Sequence, residues 1–162
     1  MSTGPIALRL VVQPSWNSHV GVRLWPPVVG VLSSGSTDTT NILSQIFAVA
    51  TIIEERSGRA YRTREGYYSD SPHPLADDAL NGIAASQRNV AYIHFPYLII
   101  STPGRYIIRV SLAQRTMAPN NGAYEYISTV DSRTVTVTQG TGEISNPTPD
   151  EEAWLRVVQE DG

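Results

Sequence analysis

The stretch Val90-Ala91-Tyr92-Ile93-His94-Phe95-Pro96-Tyr97-Leu98-Ile99-Ile100-Ser101-Thr102-Pro103-Gly104-Arg105-Tyr106-Ile107-Ile108-Arg109-Val110-Ser111-Leu112 decides the fold. Branched and aromatic residues dominate both halves, and such side chains suit a pleated, half-buried surface. In the second half Tyr106, Ile108, Val110 and Leu112 fall on one side, while Arg105, Arg109 and Ser111 fall on the other. That is the two-residue period of a strand with one wet face. Proline and glycine in Thr102-Pro103-Gly104-Arg105 occupy the central positions of a type II turn. The expectation is a hairpin of Val90–Ile100 and Arg105–Gln114.

Working outward, Ile6 to Gln13 alternates, with Ile6, Leu8, Leu10 and Val12 on one face and Ala7, Arg9, Val11 and Gln13 on the other. Pro14 ends this strand, Ser15 to Trp25 reads as a long loop, and Val28 to Leu32 follows Pro26-Pro27 as a short strand. Ser33 to Thr40 reads as loop, Ile46 to Glu54 as an apolar strand, and Glu55 to Asp78 as irregular. A weak strand near Leu80–Ala85, a loop over Met117–Gly122 and a last strand over Thr129–Thr138 complete the set. About seven strands with no helix between them favour a sandwich over a βαβ fold. Thr148-Pro149-Asp150-Glu151 then offers an N-cap hydroxyl, proline at the first helical position and an acid three residues after the cap. A short helix near 149–160 is expected, docked by Trp154, Val157 and Val158.

The chain has 162 residues, which suits one domain over 1–162, and a fold of that size hides roughly 70% of its unfolded surface. It has no cysteine, so disulfides, zinc–thiolate sites and thiol nucleophiles are excluded, and an intracellular setting is expected. Met1 to Pro5 is polar, unlike a signal peptide or membrane span, and Asn146-Pro147-Thr148 has proline where a glycosylation sequon forbids it. All twelve basic residues are arginine, yet net charge is −3, so any DNA contact needs local clustering of arginines.

Leu8-Arg9-Leu10-Val11-Val12-Gln13-Pro14, Gly21-Val22-Arg23-Leu24-Trp25-Pro26-Pro27-Val28-Val29 and Leu80-Asn81-Gly82-Ile83-Ala84 come in order along the chain. Phe95-Pro96-Tyr97-Leu98 with Gly104-Arg105-Tyr106-Ile107-Ile108-Arg109-Val110-Ser111-Leu112 follows, then Ser132-Arg133-Thr134-Val135-Thr136-Val137 and Thr148-Pro149. Taken together, this series resembles the velvet domain of fungal regulatory proteins. The resemblance implies an all-β, immunoglobulin-like (Rel-like) antiparallel sandwich that forms homo- or heterodimers with velvet partners and enters the nucleus. It also implies control of development, including sporulation, and of secondary metabolism, with double-stranded DNA bound by some members.

On that reading Arg23, His19 and Arg9 are the candidate DNA-binding residues. A guanidinium in a sandwich loop can grip a phosphate or a guanine edge as a bidentate donor. The bland alternative for Arg23 is a stem packed beside Trp25 and a carboxylate partner. Arg105 and Arg109, with Arg9 beside them, would form a small basic stripe, or simply a solvated face with cross-strand pairs. Asp70, His73, Asp77 and Asp78 lie close in sequence but match no metal-ligand spacing, so a flexible acidic loop is expected and no metal.

His19, His73 and His94 are the only imidazoles, and none belongs to a nucleophile or zinc motif. Gly140-Thr141-Gly142 lacks the lysine of a phosphate loop, and the carboxylate pairs Glu54-Glu55 and Glu151-Glu152 diverge. The expectation is therefore no enzyme, no cofactor, no membrane association and no small-molecule substrate. Trp154 either anchors a partner or closes the domain's own core. A structural or carbohydrate-binding β-sandwich without DNA binding is the alternative function.

Overall fold

The computed structural model describes residues 6–34, 43–61, 68–75, 88–115, 124–140 and 146–161. Among the described residues ten strands and one helix follow in order: β1 Ala7–Val12, β2 Asn17–His19, β3 Val28–Ser34, β4 Ile46–Glu54 and β5 Tyr68–Asp70. Then come β6 His73–Pro74, β7 Arg88–Phe95, β8 Gly104–Arg115, β9 Tyr124–Asp131, β10 Val135–Thr138 and α1 Pro149–Asp161. The expected strand at Leu80–Ala85 and the loop at Met117–Gly122 lie outside the described residues, as do Asp77 and Asp78.

β3 is buried at every position, and its sequence shows why it does not alternate. Val28 and Leu32 face the core between the sheets, whereas Val29 and Val31 face a second cluster beneath the helix. A strand covered on both sides reads as one apolar run. One sheet has the order β1-β3-β7-β6 and the other β2-β10-β8-β4-β5, with β9 also pairing β8. Ile93 and Phe95 of the first sheet share a core with Ile52, Ile108, Val110 and Leu112 of the second.

Four expectations are corrected here. Val90–Ile100 and Arg105–Gln114 are not a hairpin, because β7 pairs β3 and β6 while β8 pairs β4, β9 and β10. Pro96 has no N–H to continue a ladder, so β7 ends at Phe95 and the chain crosses to the facing sheet before β8 begins. Gly104 accordingly has φ of 156°, not the roughly 80° of a type II turn. A Cβ there would lie 3.2 Å from the Tyr106 hydroxyl, which donates to the Thr102 carbonyl at 2.8 Å.

Val12 does not share a face with Leu8 and Leu10. The register against β3 slips between Leu10 and Val12, and this bulge, with its extra residue, turns the side chain over. Val12 packs beneath α1 with Val29, Val31 and Tyr92.

The strand expected over Thr129–Thr138 is two strands on the same edge of β8, β9 beside Arg109–Arg115 and β10 beside Gly104–Tyr106. Between them Ser132 replaces a ladder partner: its Oγ accepts from the Ile108 N–H at 2.9 Å and donates to the Arg133 carbonyl at 2.8 Å. The loop after β1 also contains a strand, β2, and its pairing with β10 is parallel, whereas the other strand pairings among the described residues are antiparallel.

The helix forms as its sequence predicts. Thr148 and Glu151 make a reciprocal capping box, Glu151 N–H to Thr148 Oγ1 at 3.2 Å and Thr148 N–H to Glu151 Oε1 at 3.0 Å. Trp154, Leu155 and Val158 are buried on the first sheet with Val157 partly covered, so Trp154 belongs to the core of its own chain. The chain is an all-β sandwich of two sheets with a short C-terminal helix on one face.

Candidate interaction surface

Two loop segments make one end of the sandwich. An isolated antiparallel bridge joins Arg23 to Ile99, and the Leu24 N–H donates to the Leu98 carbonyl at 2.8 Å. Leu24 and Leu98 point inward and are buried. Strand alternation then turns their neighbours outward, and in this register Trp25 comes level with Tyr97. The Ser15 N–H donates to the Trp25 carbonyl at 3.0 Å, which brings Trp16 to the same end. Trp16 is 60% exposed, Tyr97 59%, Val22 47% and Trp25 46%, values that leave about half of each of three large rings in water. The Arg23 guanidinium lies over the Tyr97 ring, 4.5 Å from its centroid, at cation–π distance. No carboxylate pairs with it among the described residues.

Arg23 and His19 share one turn, closed by the Val22 N–H donating to the His19 carbonyl at 3.3 Å. Arg9 is elsewhere. It stands on β1 opposite Val31, in the sheet that carries the helix, and its Nη1 donates to Asn89 Oδ1 at 3.0 Å. The three candidate residues therefore do not form one cluster. Nor does Arg9 join Arg105 and Arg109, which lie on β8 in the other sheet. Arg105 lies 3.7 Å from Glu55, and Arg109 forms a two-pronged pair with Asp131 at 2.9 and 3.1 Å. The hydrogen bond that Arg109 donates to Asp131 raises the Arg109 pKa further. This is a solvated face with cross-strand pairs.

Asp70 and His73 do not lie in a splayed loop. They sit where the chain passes from β5 in one sheet to β6 in the other. His73 Nε2 is 3.1 and 3.2 Å from the two Asp70 oxygens, and its ring stacks on Tyr92 at 4.8 Å. One Asp70 oxygen also accepts from the His94 backbone N–H at 2.8 Å. Burial holds the half-buried His94 imidazole below its ordinary pKa; Asp70 opposes the shift and His73 adds to it. Among the described residues no group of histidines and acids is arranged to hold a metal ion.

No protein-family model matches the chain. No curated protein matches it either. Among solved structures it is similar to AggA, the major subunit of the aggregative adherence fimbriae type I of Escherichia coli. The identity is 15%, covering 85% of this chain and 97% of that one, with a TM-score of 0.29.

The sequence singles out Arg23 and His19 in the loop after β1, but the aromatic surface around them was missed. Both Trp25-Pro26 and Pro96-Tyr97 pair a large ring with a proline. Proline stops strand pairing, so a ring beside one tends to be stranded at the end of a sheet. That signal was available.

A second group of exposed aromatics lies on β9, where Tyr124 packs edge-on to Phe47 at 5.3 Å and to Tyr126 at 5.6 Å. These rings support one another, whereas Trp16, Trp25 and Tyr97 have no ring contact of that kind recorded among the described residues.

Proposed function

We propose that this chain is a velvet-type regulatory module that acts by pairing with partner proteins, as a homodimer or with another velvet protein. The supporting observation is the exposed cluster Trp16, Trp25, Tyr97 and Arg23 at one end of the sandwich. Tryptophan, tyrosine and arginine are the residues that most often carry binding energy at protein interfaces. Under this reading the module works in the nucleus and takes part in transcriptional control of development and secondary metabolism. Double-stranded DNA would be bound only where a partner adds positive charge.

The test is a mass measurement by light scattering with cross-linking, alone and with a velvet partner. Pairing that is lost in a Trp25→Ala, Tyr97→Ala double variant supports the proposal. A strict monomer in both settings refutes it.

A second reading has one observation in its favour. Open aromatic rings at the end of a β-sandwich can stack against the apolar face of a sugar, which is the carbohydrate-binding alternative. Binding to a sugar array in the absence of any protein partner would support that reading.

A further inference from the structure

We infer that the Trp16, Trp25, Tyr97 and Arg23 end takes an acidic segment of its protein partner, one in which carboxylates alternate with large apolar side chains. The inference rests on the proposed protein pairing and specifies the chemistry of the partner.

The charge distribution carries it. The protein has fifteen acidic and twelve basic residues, so its surface as a whole is mildly anionic. Yet residues 14–27 and 95–104, the two segments that build this end, contain no aspartate or glutamate. Neither does β10, which pairs with β2 at the same end. The cations here are Arg23 and Arg133, whose Nε donates to the Pro14 carbonyl at 3.0 Å. Among the described residues neither arginine has a carboxylate partner.

The acid that reaches toward this end from the helix is already committed. Glu151 accepts from the Thr148 N–H with one oxygen and from the Gln13 N–H with the other, each at 3.0 Å. Arg23 is held over Tyr97 by a ring and not by an ion pair, so its donors keep the geometry that a bidentate carboxylate requires. Trp16, Trp25 and Val22 beside it offer apolar area that a purely charged ligand would leave wet. An anion with apolar neighbours satisfies both halves of the surface. The chain's net negative charge weighs against a nucleic acid, whose many phosphates demand many cations.

Tryptophan fluorescence of the full chain tests this directly, because Trp16 and Trp25 are exposed and Trp154 is buried as a constant background. The probes are a short peptide alternating Asp and Glu with Leu and Phe, the same peptide with Lys replacing the acids, oligothymidylate, and a linear glucan oligosaccharide. The acidic peptide is expected to blue-shift the emission and to shield it from acrylamide, while the lysine peptide does neither. Arg23→Glu should weaken the acidic peptide at least tenfold, about 1.4 kcal/mol, and should gain the lysine peptide. Arg23→Gln should weaken the acidic peptide without gaining the other.

Arg23 is solvent-exposed, so a matching thermal midpoint is expected to show that the variants remain folded. Undiminished acidic-peptide binding in Arg23→Glu overturns the inference, as does shielding by oligothymidylate or the glucan in its place. Failure here is separable from failure of the pairing proposal. If the Trp25→Ala, Tyr97→Ala variant loses its protein partner while Arg23→Glu keeps it, pairing stands and the acidic chemistry falls.

Discussion

Truncating Trp154 to alanine should detach the helix before it unfolds the sandwich. Trp154 is 8% exposed and shares the cluster beneath α1 with Leu155 and Val158 on the helix and Val12, Val29, Val31 and Tyr92 on the sheet. Removing a buried tryptophan costs about 3–5 kcal/mol. The two anchors left, Leu155 and Val158, are worth roughly 1.5–3 kcal/mol each. Ordering the backbone costs about 1–2 kcal/mol for every helical residue, so the loss is comparable with everything that still holds the helix down. The inter-sheet core contains none of these helix residues, so it keeps its own contacts.

Hydrogen exchange resolves the two layers. Amides of Leu155 to Val158 should lose protection by roughly two to four orders of magnitude, at 1.4 kcal/mol per factor of ten. Amides of Ile108 and Val110 in β8 should change far less. A hydrophobic dye should also bind, because Val29, Val31 and Tyr92 become exposed. Equal loss of protection in helix and β8 would show one cooperative unit and refute the layered account. So would a thermal midpoint and exchange pattern both unchanged from the parent protein.

Gly104→Ala should lower stability by roughly 1–3 kcal/mol, read as a lower urea midpoint, because φ is 156° and the added Cβ meets the Tyr106 ring and hydroxyl at 3.2–3.3 Å. Ser132→Ala leaves the Ile108 N–H without its acceptor in a buried site, and about 1–3 kcal/mol should be lost; a change below the error of the denaturation curve would contradict the bond. Stability should fall as the solution is acidified from pH 7.5. His94 is held below its ordinary 6.5 mainly by burial, so the unfolded chain takes up the proton first. This contribution is intact above 6.5 and is lost as the pH drops from there toward the lower folded value. His94→Gln should flatten that part of the profile, and an unchanged slope in this variant would assign the effect elsewhere. Asp131→Ala should cost less than about 1 kcal/mol, since its pair with Arg109 is exposed; a larger drop in thermal midpoint than that implies would be evidence against the solvated-face assignment.

Strand identity was legible wherever one face meets water. Tyr106, Ile108, Val110 and Leu112 are buried, and Arg105 and Arg109 exposed, as their alternation requires. The helix was legible because its cap is local chemistry, complete within Thr148 to Glu151. Sheet membership was not. Two consecutive apolar strands look the same in sequence whether they pair side by side or face each other across a core, and Pro96 was the one residue that distinguished the cases. The slip at Leu10 and Val12 was hidden for a related reason: the end of β1 is covered on both sides, Val11 partly and Val12 fully, so valine suits either. At the candidate surface the charged residues were noticed and the rings were not. An exposed tryptophan and a core tryptophan are the same letter, and only Trp154 carried a helical period to mark it as core.

Gln13 links two distant parts of the molecule. Its backbone N–H is held by Glu151 at the start of α1, and its side-chain oxygen accepts from the Arg133 N–H at 2.8 Å. Arg133 in turn holds the Pro14 carbonyl, two residues before Trp16. Seating of the helix and posture of the aromatic loop are therefore fastened to a common pin. A Glu151→Gln change would be felt some way from the helix, as a broader distribution of Trp16 orientations, and fluorescence anisotropy decay would register it.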